Sequence, residues 1–141
     1  MRREEDGVEL TPQPGLDGVG ALVAEVGRAG LPVTLHVEGE AAPLPRAIDL
    51  SAYRIVQEGL TNALKHARAH HAEVTLRYAP DELQIEVRDD GAGGGASNGP
   101  GYGLVGVGER VKIYGGTMAA GASPGGGFVL DARLPLRGVG G

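Results

Sequence analysis

Apolar residues recur along this 141-residue chain at two spacings, and the spacings divide it into elements. The longest helical pattern spans residues 47–69. There Ile55, Val56, Gly59, Leu60, Ala63, Leu64 and Ala67 recur at i, i+1, i+4, i+5 and i+8, which makes one stripe on a helix of 3.6 residues per turn. Pro43 and Pro45 punctuate the loop before it. A shorter helix is expected from Leu16 to Ala29, with Leu22, Val23 and Val26 on one side, although Gly18, Gly20 and Gly27 weaken it. A third reads from "YGLVGVGERVKIYGG", with Leu104, Val105, Val111 and Ile113 apolar and Gly115–Gly116 as its stop.

The other spacing is two, the period of a strand with one buried side. It joins Val33, Leu35 and Val37, then Val74, Leu76 and Tyr78, then Leu83, Ile85 and Val87. "APDE" is a tight connection between the last two runs, so they predict a β-hairpin with one apolar face. Two final strands fit around Thr117–Ala122 and Gly127–Leu134, linked by "SPGGG". Residues 1–15 are charged and then rich in Pro and Gly, and read as a disordered linker. Residues 16–136 form the expected domain, and 137–141 a flexible tail. Strands interrupted by helices, with hairpin connections, predict an α+β two-layer sandwich.

Composition narrows the chemistry. Aromatics are only 4%, so the core must rest on Leu, Val, Ile and Ala. A formal net charge of −5 argues against a nucleic-acid footprint, which is usually basic. It also means that a phosphate ligand would need local cations, a metal or backbone N–H groups. The chain has no cysteine, which excludes disulfides, thiolate zinc sites and thiol catalysis. No apolar run approaches the roughly 18 residues of a membrane span, and the first fifteen residues lack a signal-peptide core. A cytoplasmic domain without membrane contact is therefore expected. Glycine is the anomaly, at 26 residues, concentrated after Asp90.

On the strong helix Glu58, Asn62, Lys65 and His66 stand at i, i+4, i+7 and i+8, an arc of roughly 100° beside the apolar stripe. Asn62 offers a neutral oxygen suited to Mg²⁺, Lys65 a point charge for phosphate, and Glu58 a carboxylate to position a water or a metal's hydration shell. The plainer alternative is a solvated helix face. His66, His70 and His71 have the spacing of a metal pair but no third ligand nearby. They also sit where the helix should end, and histidine near a helix C-terminus favours the dipole in any case.

The stretch "VRDDGAGGGASNGPGYGLVGVGERV", residues 87–111, holds nine glycines. Asp89 ends a strand, where its carboxylate can accept from an exocyclic amine. Gly91 and Gly93 let backbone approach a flat ring. An ordinary Asp-Gly turn is the competing reading. "GYGLVG", Gly101 to Gly106, matches G-x-G-x-x-G, but a long loop precedes it and no acidic residue follows at the required distance, so a dinucleotide fold is rejected. No P-loop motif occurs. Glycines leading into a helix N-terminus still favour phosphate, and residues 94–101 read as a lid over a ligand.

Together these pieces are more specific than any one: a helix with E-x-x-x-N-x-x-K-H-A, a strand ending D-x-G-x-G, and a G-x-G-L loop opening a helix with E-R-V. Their order resembles the ATP-binding catalytic domain of sensor histidine kinases, within the superfamily of gyrase and Hsp90 ATPases. "YRIVQEGLTNALKHA" and "VRDDGAGGG" look more narrowly like the subfamily whose regulators are of nitrate-response type. The resemblance covers about residues 16–136. It implies a Bergerat-type fold, with helices on one face of a mixed, mostly antiparallel sheet, binding Mg·ATP.

Carried over by motif position, Asn62 would ligate Mg²⁺ and Glu58 would orient the water or acceptor. Lys65 and His66 would lie near phosphates, and Asp89 would bind the adenine amino group. Gly91 and Gly93 would shape the adenine pocket, and Gly101, Gly103 and Leu104 would form the lid hinge. The implied activity is transfer of the γ-phosphoryl to a histidine on a separate dimerisation and phosphotransfer domain, and onward to a response regulator. That histidine motif is not found in this sequence, so the domain alone is expected to be monomeric and incomplete. A non-catalytic nucleotide-binding module and an anti-sigma-type serine kinase of the same fold are the alternatives. Three positions depart from similar domains: Gly94 where Phe is frequent, Gly108 where a basic residue is frequent, and Phe128 where Thr is usual.

Overall fold

A computed structural model of the chain describes residues 15–65, 68–91, 102–123 and 126–136. A 3₁₀ turn, Leu16–Gly18, leads into α1 (Val19–Arg28), followed by β1 (Val33–Glu38) and α2 (Arg46–Lys65). The hairpin β2 (Ala72–Tyr78) and β3 (Glu82–Asp89) comes next, then α3 (Tyr102–Ile113), β4 (Thr117–Ala122) and β5 (Phe128–Pro135). The five strands form one sheet in the order β1-β2-β3-β5-β4. Only β1 and β2 run parallel, because α2 crosses over between them; the other neighbours are antiparallel. β5 inserts between β3 and β4, which makes β3-α3-β4 a split β-α-β unit.

The period-two residues expected to share a face do so. Val74 and Leu76 on β2 and Leu83, Ile85 and Val87 on β3 are buried beside Leu130, Ala132 and Leu134 of β5. Against them lie Val19, Leu22 and Val26 of α1, Ile48, Ala52, Ile55, Val56, Leu60 and Ala63 of α2, and Val107 and Val111 of α3. Each such Leu, Ile or Val contributes roughly 1.5–3 kcal/mol relative to leaving it in water. This is the α+β two-layer sandwich, with a core of aliphatic residues. The opposite sheet face is polar, and a chain of side-chain contacts crosses it from Glu38 through Arg77 and Gln84 to Asp131.

Two expectations need correction. The strong helix, described as Arg46–Lys65, does not reach Ala69: Arg68 has φ of 54°, outside helical space, and the amides of His70 and His71 bond to Asp90 instead. Ile113 is not on the apolar side of α3. The i, i+4 pair Val107 and Val111 faces the core, while Ile113 is 77% exposed. The expected stop of that helix holds. The N–H of Gly116 bonds to the carbonyl of Val111 and that of Gly115 to Lys112, a Schellman pair.

Candidate functional site

Parity along β3 decides where its final carboxylate goes. Leu83, Ile85 and Val87 point into the helix layer, and the next residue of that series is Asp89. It is 7% exposed, a charged group at the end of an apolar row. Its Oδ1 accepts the N–H of buried Gly91 at 2.8 Å. Burial pushes the Asp89 carboxyl above the usual carboxylate range; the Gly91 hydrogen bond opposes this and the nearby Asp90 charge adds to it.

Asp90 points the other way and is exposed. Its Oδ1 accepts the N–H groups of His70 at 2.8 Å and His71 at 3.0 Å, and its own N–H donates to the carbonyl of His71. These bonds hold its carboxyl below the usual range, the His70 amide most strongly. They also clamp the segment leaving α2 to the end of β3. The pairing of Ala72 with Asp89 does the same. The last turns of α2 and the Asp89 end of β3 are thereby held at one end of the sheet.

α2 approaches β3 closely because it carries no side chain at Gly59. A methyl there would lie 3.0 Å from Val87 Cβ, tighter than ordinary contact. Glu58 adjoins Gly59, and Asn62 follows one turn later; both are half-buried. Glu58 pairs with Arg54 at 3.6 Å, across one turn of the same helix. Lys65, the last residue of α2, is exposed. Gly103 and Leu104 fall in the first turn of α3, which packs against α2. The structure thus brings Asn62, Lys65, Asp89 and Gly91 to one end of the sheet. His66, Gly93, Gly101 and the departure at Gly94 lie outside the described residues.

Two contributors were not assigned a place from sequence. Arg54 restrains Glu58, and its signal is the i, i+4 spacing. Asp90 is a clamp, legible from its opposite parity to Asp89. Phe128 is the direct cross-strand partner of Asp89 in the antiparallel β3–β5 ladder, so both face the helices. Gly127 precedes it with φ of +86°, and a Cβ there would stand 2.1 Å from the Asp89 carbonyl oxygen. β5 can meet β3 at this point only through a glycine.

Chemically, the site offers a buried acceptor at a strand end and an amide, a carboxylate and an ammonium on a helix edge. α3, which packs against α2, begins with free backbone N–H groups of the kind that suit phosphate. Among the described residues no three His, Cys, Asp or Glu side chains group to hold a metal. None of the helices, among the described residues, is long and apolar enough to cross a membrane.

Comparison with known proteins agrees with this fold. Residues 48–138 match the family described as histidine kinase-, DNA gyrase B-, and HSP90-like ATPase. The chain is 35% identical over 137 residues to the sensor histidine kinase YxjM of Bacillus subtilis, covering 96% of this chain and 32% of that protein. It is 33% identical over 110 residues to the oxygen sensor histidine kinase NreB of Staphylococcus carnosus, covering 76% and 32%. It therefore spans about a third of the length of these relatives. The histidine kinase domain of the blue-light activated kinase EL346 of Erythrobacter litoralis superposes with a TM-score of 0.63 at 26% identity, covering 83% of this chain and 57% of that one. With the sheet order, the acidic end of β3 and the polar edge of α2 in place, the chain belongs to the histidine kinase-, gyrase B- and HSP90-like ATPases, on the sensor histidine kinase branch.

Proposed function

We propose that this domain binds Mg·ATP at the Asp89 end of the sheet and delivers its γ-phosphoryl to a histidine on another segment of a sensor kinase. The observation that carries the reading is Asp89 itself, a buried acceptor held at the end of an apolar strand face. In this reading the Asp89 carboxylate accepts the adenine amino group and Gly91 and Gly93 lie against the ring. Lys65 and His66 attract the phosphates, and Gly101, Gly103 and Leu104 close over them.

Asn62 Oδ1 would hold Mg²⁺ together with triphosphate oxygens; a single neutral oxygen suits an ion that keeps much of its other coordination. When bound, the ion neutralises charge developing on the β- and γ-phosphates. Glu58, restrained by Arg54, orients the acceptor imidazole. The imidazole nitrogen forms a bond to the γ-phosphorus, the bond to the β–γ bridging oxygen breaks, and ADP leaves. The acceptor sits on a dimerisation and phosphotransfer domain, and a response regulator takes the phosphoryl from there. The setting is cytoplasmic, and the nitrate-response-type subfamily is the narrower assignment. Residues 16–136 are the functional unit, a monomer on its own.

Calorimetric titration of ATP with and without Mg²⁺ tests this. The wild-type chain should bind, Asp89→Asn should abolish binding, and Asn62→Ala should remove mainly the Mg²⁺ dependence. Mixing with a supplied phosphoacceptor hairpin should then label its histidine. Binding without transfer would favour a non-catalytic nucleotide module, and labelling of a serine the anti-sigma type of kinase.

A further inference from the structure

Phe128 and Asp89 are opposite one another in the last pair of the β3–β5 ladder. Residues so placed in an antiparallel pair share a face, with Cβ atoms about 4.5–5.5 Å apart. That face is the helix side, since Leu130, Ala132 and Leu134 continue it and are buried. Phe128 is half-buried and packs against the core. Gly127 fixes the approach, because its bare α-carbon lets β5 close on the Asp89 carbonyl. An aromatic ring therefore stands beside the buried carboxylate, where a polar side chain would bring a hydroxyl or a water.

We infer that Phe128 is a specificity-determining residue, a dry wall that makes Asp89 strict for a nucleotide base carrying an exocyclic amino group. The inference rests on the nucleotide reading above. Its physics is the cost of leaving a buried acceptor unpaired. A base with the amine satisfies Asp89. A base without it leaves the carboxylate facing hydrocarbon, with no water to replace the missing donor. A polar residue at position 128 would admit that water and remove the penalty, so discrimination would fall even if ATP still bound. Burial that lifts the Asp89 carboxyl above its usual range is consistent with a corner poor in water.

The test compares ATP with purine riboside triphosphate, which lacks only the 6-amino group, by calorimetry on this chain. Wild type should prefer ATP by about 100-fold or more. Phe128→Val, apolar and β-branched, should keep that ratio within about threefold. Phe128→Thr, nearly the same shape with a hydroxyl, should lower it by about tenfold or more. Phe128→Gln, closer in volume to the ring, reads the same quantity if the threonine variant does not fold. A purely structural Phe128 would change stability and leave the ratio alone, so a ratio within about twofold of wild type in a folded polar variant overturns the inference. Wild-type protein that binds neither nucleotide overturns the nucleotide reading with it. ATP binding with an unchanged ratio overturns only the role of Phe128.

Discussion

At Asp89 the carboxyl is buried and at Asp90 it is exposed and hydrogen-bonded, so the two respond to pH in opposite directions. The Asp89 carboxyl titrates higher in the folded chain than in the unfolded one. The folded state then holds the extra proton, and stability contributed at low pH is lost as pH rises from the ordinary aspartate range through the raised value. The Asp90 carboxyl titrates lower when folded, so its contribution is present above the ordinary range and is lost as pH falls through the lowered value. Asp89→Asn keeps an oxygen for the Gly91 amide and removes the buried charge. It should raise the ligand-free stability at neutral pH, on the order of 1 kcal/mol, and flatten the mildly acidic part of the profile. ATP binding should be lost in the same variant. Denaturant unfolding across pH, beside calorimetry, checks both. Asp90→Ala frees two amides that water can partly satisfy, so it should cost about 1 kcal/mol and affect ATP far less than Asp89→Asn. This distinction is legible in the sequence, because 83, 85, 87 and 89 share parity and 90 does not. The seat of Phe128 is legible only through the family resemblance, since which strand lies beside β3 is a long-range fact that no local period encodes.

Within elements, α2 shows what a glycine in mid-helix does. Gly59→Ala gains about 1 kcal/mol of helix propensity but places a methyl 3.0 Å from Val87, itself fixed in a central strand. Overpacking of this kind costs about 1–3 kcal/mol, so the variant should be less stable than wild type. Adding Val87→Ala makes room for the methyl, so the double variant should be more stable than the sum of the two single changes predicts. A double-mutant cycle by chemical denaturation reads that coupling. If Gly59→Ala raises stability, the close approach of α2 to β3 is wrong. The apolar stripe of α2 could be read from spacing because its burial is one-sided and long. Its C-terminal end could not, because Asp90, far along the chain, takes the amides of His70 and His71 and gives the backbone a reason to leave the helix. The misreading of Ile113 has a different origin. In α3 the glycines thin the pattern, and among the described side chains the Val107–Val111 pair carries the true phase.

Across the whole molecule, protection should follow sheet order rather than sequence order. β3 lies between β2 and β5 and under α2, whereas β1 and β4 are edges and β1 leaves Val37 53% exposed. Native-state hydrogen exchange should therefore find its slowest amides in β3 and much faster ones in β1 and β4. If β4 were as slow as β3, the split arrangement would be in error. The polar sheet face should matter little to stability. Arg77 contacts Glu38 and Gln84 but is exposed, so Arg77→Ala should leave the denaturation midpoint nearly unchanged. The order of strands also has a temporal side. β5 leaves the ribosome after the four other strands described, yet it sits between β3 and β4. A nascent chain that has emerged as far as β4 presents two strands with a gap between them, each with an unpaired backbone edge open to a stray chain. It also lacks Phe128, so the corner beside Asp89 stays wet until the final strand slots in. A domain assembled in this order would gain its selectivity for nucleotide at the same step that seals its sheet.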